Sequence, residues 1–128
     1  MDSADPCPCG SGGPYGGCCG PLHAGAAAPT AEALMRSRSS AFALGDAAYL
    51  LRSWHPSTRP RSLSLEAVRW RRLQIVDTVA GGEADAEGVV EFRASYRAPA
   101  GGGVLHERSR FARVEDRWVY VDGEALPG

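Results

Sequence analysis

Cys7-Pro8-Cys9-Gly10-Ser11-Gly12-Gly13-Pro14-Tyr15-Gly16-Gly17-Cys18-Cys19-Gly20 is the stretch on which the reading of this chain turns. It holds all four cysteines of the 128 residues, in the spacing C-x-C-x8-C-C. Up to Gly25 the sequence is dominated by Gly, Pro and Cys and shows neither helical nor strand periodicity. Such a segment has no apolar face to bury, so its order must come from another source. Zinc prefers four tetrahedral ligands, and four Cys thiolates make a closed structural site. Two close pairs joined by a short loop supply two edges of that tetrahedron. Glycines flank the sulfurs, where the backbone must turn sharply and its N–H groups can approach thiolates. Cys18 and Cys19 reach one metal only if the chain kinks between them, which Gly17 and Gly20 permit. The ligand set is therefore Cys7, Cys9, Cys18 and Cys19, holding one structural Zn2+ per chain. The alternative, two disulfides or free buried thiols, meets a strained vicinal ring and a segment without a core. A closed site leaves no position for a catalytic water, and His23, within reach as a spare ligand, is unnecessary. Structural zinc contributes about 10–16 kcal/mol in small fingers, the scale this segment requires.

Working outward, a hydrophobic fraction of 44% is ordinary for a globular chain, and the formal net charge is only -1. A thiolate-bound zinc ion lowers that charge to about -3, so nothing draws the molecule as a whole to nucleic acid or anionic lipid. All 14 basic residues are Arg, which excludes Schiff-base and lysine-nucleophile chemistry. The opening Met-Asp-Ser-Ala-Asp-Pro has no basic or apolar leader, and no stretch is apolar for long enough to span a bilayer. The expectation is a cytoplasmic protein with reduced thiols and no membrane partner.

After the linker Ala26-Ala27-Ala28-Pro29, Thr30 reads as an N-cap and Glu32 suits the first turn of a helix running to Gly45. Its apolar arc of about 120° holds Leu34, Met35, Ala41 and Phe42, with Arg38 in the middle and Arg36 on the opposite face. A second helix starts at Asp46 and carries Ala47, Tyr49, Leu50 and Trp54 before His55-Pro56 ends it. From Ser64 onward the period becomes two. Leu73, Ile75, Asp77 and Val79 share one face; Val90, Phe92, Ala94 and Tyr96 share another. Leu105, Glu107, Ser109 and Phe111 alternate with His106, Arg108 and Arg110, and Trp118, Tyr120 and Asp122 form a last strand. Gly81-Gly82, Pro99 through Gly103, and Glu115-Asp116 are turns. Helices followed by antiparallel strands predict an α+β fold, a curved sheet wrapped around helices.

The run CPCGSG…Y..CCG resembles the SEC-C motif, a zinc knuckle found in many bacterial proteins and at the end of the SecA translocation motor. That resemblance implies ligands at Cys7, Cys9 and Cys18, with a Cys or His where Cys19 stands. The loop around Tyr15 departs from the family's basic pattern, because here it is uncharged. The remainder, with Pro21-Leu22-His23, Ala33 through Arg38, Ser40-Ala41-Phe42, Trp54-His55-Pro56, Leu105 through Phe111 and Arg117 through Gly123, resembles the YchJ family of bacterial proteins. This implies a cone like that of nuclear transport factor 2, over residues 30–128 and preceded by a knuckle over residues 1–25. The family supplies an architecture and no established reaction. It usually carries Tyr where this chain has Ser39.

One constellation remains. Arg38 faces inward from the helix, Glu107 and Ser109 face inward from a strand, Asp77 shares a face with Leu73, and His55 sits at a helix end. The groups either satisfy one another, as a buried Arg38–Glu107 ion pair, or line a pocket for a small molecule. Two functions follow. The first is a non-catalytic interaction protein with a protein partner, with no catalytic residue assigned. The second is a ligand binder or small isomerase or hydrolase using Arg38, His55, Asp77 and Glu107. Arg59, Arg61, Arg69, Arg71 and Arg72 read as a solvated face rather than a nucleic-acid site.

Overall fold

The Thr30 hydroxyl accepts the Ala33 N–H at 3.0 Å and so starts the long helix. Gly45, left-handed at φ 73°, ends it. Asp46 then caps the next helix by accepting the Tyr49 N–H at 3.0 Å. The computed structural model describes residues 2–65 and 68–127. Its elements are α1 (Cys19–His23), α2 (Ala31–Leu44), α3 (Ala47–Arg52), β1 (Arg69–Ala80), β2 (Glu87–Ala98), β3 (Gly101–Val114) and β4 (Arg117–Ala125). Gly128, the end of the second predicted unit, lies outside the described residues.

The α+β architecture read from the sequence is present. The four strands form one antiparallel meander in the order β1-β2-β3-β4. Glu115 and Asp116 both take positive φ between β3 and β4, the conformation a two-residue hairpin turn needs. Leu34 and Met35 of α2 pack on Leu73, Phe92, Phe111 and Trp118 of the sheet, which makes the core. Helix α3 is shorter than predicted. It stops at Arg52 because the following backbone bonds to β4 instead: Tyr120 N–H donates to the Ser53 carbonyl at 2.9 Å, and His55 N–H to the Tyr120 carbonyl at 2.7 Å.

The predicted strand faces hold except where the register shifts. Between Ile75 and Asp77 the pairing of β1 with β2 skips a residue, as it does between Trp70 and Arg72. On β4 the pairing passes from Tyr120 to Asp122 while β3 advances by only one residue. Each extra residue turns the following side chains to the other face. Asp77 is therefore exposed on the outer face, where Arg108 binds it at 3.4 Å, and it does not share a face with Leu73 and Ile75. Asp122 is likewise turned outward and pairs with Arg110.

The helix layer meets the sheet closely at the β1–β2 turn, where Ala31 N–H donates to the Gly81 carbonyl at 2.9 Å. A Cβ on Gly88 would lie 2.5 Å from the Gly81 Cα and 3.2 Å from the Ala31 Cβ. Gly88→Ala is accordingly expected to destabilise the protein by about 1–3 kcal/mol through overpacking. Denaturant unfolding checks this, and an unchanged midpoint would contradict the packing described.

Candidate metal centre

The opening segment folds back on itself through a Pro6–Pro14 bridge, with Cys7 N–H donating to the Gly13 carbonyl at 3.0 Å and Tyr15 N–H to the Asp5 carbonyl at 2.8 Å. Gly10, at φ 77°, turns the chain after Cys9. A short 3-10 turn over Tyr15–Gly17 and a kink at Cys18 (φ -128°, ψ -101°) then bring the second pair of sulfurs round. Gly20 is required here, since a Cβ would stand 2.8 Å from the Tyr15 carbonyl oxygen.

The four Sγ atoms lie within 4.8 Å of one another, with Cys9–Cys18 at 3.5 Å and Cys18–Cys19 at 3.9 Å. None is in a disulfide. A tetrahedron with metal–sulfur bonds of about 2.3 Å has sulfurs about 3.8 Å apart, so the four thiols fit one metal ion. Cys7, Cys9 and Cys19 are buried, while Cys18 is partly exposed. The sulfurs compete for protons. The hydrogen bond from Cys19 pulls the Cys9 thiol far down, and the same contact together with burial pushes Cys19 up. All four can be thiolates only with a cation among them.

Other polar groups complete the surroundings. The Ser11 hydroxyl reaches Cys18 Sγ at 3.1 Å, and the fully buried Ser40 hydroxyl of α2 reaches Cys7 Sγ at 3.4 Å. Arg36 donates to the Cys9 carbonyl at 3.4 Å while bound to Glu32 at 3.1 Å. His23 is not a ligand but a latch. Its Nδ1 hydrogen-bonds the Tyr15 phenol at 2.6 Å, and its Nε2–H donates to the Ser37 carbonyl at 2.8 Å. The face of α2 opposite its apolar arc is thus the face on which the cysteine segment sits. Ser40 and the latch role of His23 escaped the sequence reading, because neither has a pattern that distinguishes it from a surface polar residue.

The pocket candidates do not all line one cavity, though Glu107 and Ser109 are bonded to each other. Arg38 is 3% exposed, and its Nη1 donates to the Leu50 carbonyl at 2.8 Å and to Ser53 Oγ at 2.7 Å. Its guanidinium lies 4.5 Å from the centre of the Tyr120 ring and 5.1 Å from that of Trp54. Burial lowers its pKa to about 10, which still leaves it charged at neutral pH. The Arg38–Glu107 ion pair is not made among the described residues. Aromatic faces occupy the guanidinium, and Glu107 instead accepts the Ser109 hydroxyl at 2.7 Å. His55 Nδ1 accepts from the N–H and hydroxyl of Ser57, at 3.0 and 2.8 Å. It lines an open groove of 390 Å³ with Val79, Val89 and Val121, to which Arg38, Asp77, Glu107 and Ser109 do not contribute.

Comparison with known proteins agrees with this geometry. The family described as YchJ, middle NTF2-like domain, matches residues 30–123. A UPF0225 protein of Streptomyces coelicolor is 60% identical over 123 residues, covering 94% of this chain and 96% of its own. Another, from Xanthomonas oryzae, is 53% identical over 122 residues, covering 92% and 93%. The solution structure of a SEC-C motif containing protein from Rhodopseudomonas palustris superposes with a TM-score of 0.82 at 34% identity, over 96% of this chain and 100% of that one. A SEC-C motif containing protein from Psychrobacter arcticus gives 0.80 at 26% identity, over 98% and 85%.

Because Ser40 reaches a ligand sulfur from outside the cysteine segment, Ser40→Ala should weaken metal binding by about tenfold or more. Competition between the full chain and a chromophoric chelator for added Zn2+ measures this. Unchanged affinity would remove Ser40 from the site.

Proposed function

The chain belongs to the YchJ family, with the NTF2-like α+β fold, and we propose that it is a zinc-stabilised, non-catalytic interaction protein of the cytoplasm. In this reading residues 1–25 are the knuckle, residues 30–128 form the cone, and the partner is another protein. The observation that carries it is the closed cluster of four sulfurs seated on α2. Four soft thiolates in near-tetrahedral spacing suit zinc and leave no coordination position for a substrate. The free thiols suit a reducing compartment, and among the described residues no helix is long and apolar enough to cross a membrane.

The small-molecule alternative has less support. The space beside Arg38 is taken by Trp54 and Tyr120. The apolar recess between α2 and the sheet, under Met35, Phe42 and Trp70, holds 120 Å³, below the roughly 300–1,000 Å³ of ordinary ligand pockets.

Elemental analysis of purified protein should find about one zinc per chain, and none in Cys18→Ser. Affinity purification from native lysate should retain a protein partner on the wild type that the Cys18→Ser variant loses. A metal-free wild type that folds identically contradicts the zinc assignment, and a wild type that retains nothing contradicts the interaction reading.

A further inference from the structure

The arginines divide into two groups. Eight of the 14 donate to a carboxylate, a hydroxyl or a backbone carbonyl. Arg61, Arg69, Arg71, Arg72, Arg93 and Arg97 have no such partner among the described residues. Five of these six lie together at one end of the β1–β2 ribbon. Arg69 pairs directly with Arg97 across the strands, and Gln74 with Arg93. The irregularity between Trp70 and Arg72 sets Arg71 and Arg72 together against Ser95, which adds a cation to the patch.

Like charges directly opposite each other on a sheet are destabilising. The carboxylates nearest along the ribbon, Asp77 and Glu91, are already bound by Arg108, and Glu91 also by His106. Among the described residues the positive end is therefore left uncompensated, in a chain whose net charge is -1. Beside it the surface is apolar and open. Gly102 lies opposite Arg97, and Val104, opposite Ser95, is 52% exposed. An open cleft of 750 Å³ places Phe42, Leu44 and Leu65 next to Arg69, Arg71 and Arg97.

Building on the interaction reading above, we propose that this arginine face docks an acidic polypeptide segment that also carries apolar side chains. Carboxylates match the unpaired guanidinium groups, and apolar residues match Leu44 and Val104. A single-stranded nucleic acid fits less well. The aromatic rings at this end, Phe42, Trp70 and Tyr96, pack on one another with centroids 6.0 and 5.5 Å apart, which leaves no platform for stacked bases.

The test uses the zinc-loaded full chain and three fluorescent probes: a short peptide alternating Glu and Leu, its Gln-for-Glu counterpart, and a single-stranded oligouridylate. Anisotropy should show binding of the Glu/Leu peptide that weakens with added salt, and none of the Gln peptide. The double variant Arg69→Ser, Arg97→Ser should lose about tenfold or more in affinity. Its thermal stability should equal or exceed the wild type's, since only repulsion is removed. Failure of the Glu/Leu peptide to bind overturns the proposal. So does equal affinity in the double variant, or tighter binding of the oligouridylate. A lysate partner retained equally by wild type and double variant overturns this surface while leaving the interaction reading intact.

Discussion

Four thiols within 4.8 Å of one another cannot all carry charge unless a cation sits among them. The first fifth of the chain is organised around that constraint. It has little apolar surface, and its own backbone contacts are a few turns and one bridge. Leu22 packs against the core, and much of what else fastens the segment to the rest is polar. Ser40 reaches one sulfur, Arg36 a cysteine carbonyl, and His23 joins the Tyr15 phenol to the Ser37 carbonyl. Helix α2 therefore has two packed faces, Leu34 and Met35 against the sheet and Arg36, Ser37 and Ser40 toward the cysteine segment. The cysteine segment meets the body chiefly on that helix, and Arg52 of α3 and Arg117 of β4 add bonds to the His23 and Gly25 carbonyls.

The same economy decides what the interior is for. A buried guanidinium is costly unless its donors and its charge are answered. Arg38 is answered by the Leu50 carbonyl, Ser53, and the faces of Tyr120 and Trp54. These contacts fasten α2 to α3 and β4, and they fill the space around the guanidinium. The surface features that remain unanswered are outside: an uncharged glycine loop on the knuckle and a cationic end on the sheet. The proposed interaction role rests on that distribution.

Much of this was legible in the residues themselves. Thr30, Gly45 and Asp46 mark helix ends because each satisfies a backbone group that the helix leaves open. The cysteine spacing marks the cluster because no other chemistry orders such a segment. The inward direction of Arg38 follows from its place in the apolar arc, but its partners do not, since Trp54 and Tyr120 are brought to it by tertiary structure. Asp77 was misplaced for one reason, and the same irregularity recurs before Asp122 on β4. Alternation projects a side chain correctly only along an unbroken register, and the extra residue in each strand carries no composition signal. Gly123 is the nearest thing to one, since it clears space for the Glu107 carboxyl across the β3–β4 pair.

X-ray absorption at the zinc edge of the full-length protein tests the central claim most directly. The account predicts a single shell of four sulfurs at about 2.3 Å, with no nitrogen or oxygen ligand. A shell containing imidazole or water, or an edge signal absent from correctly folded protein, would contradict it.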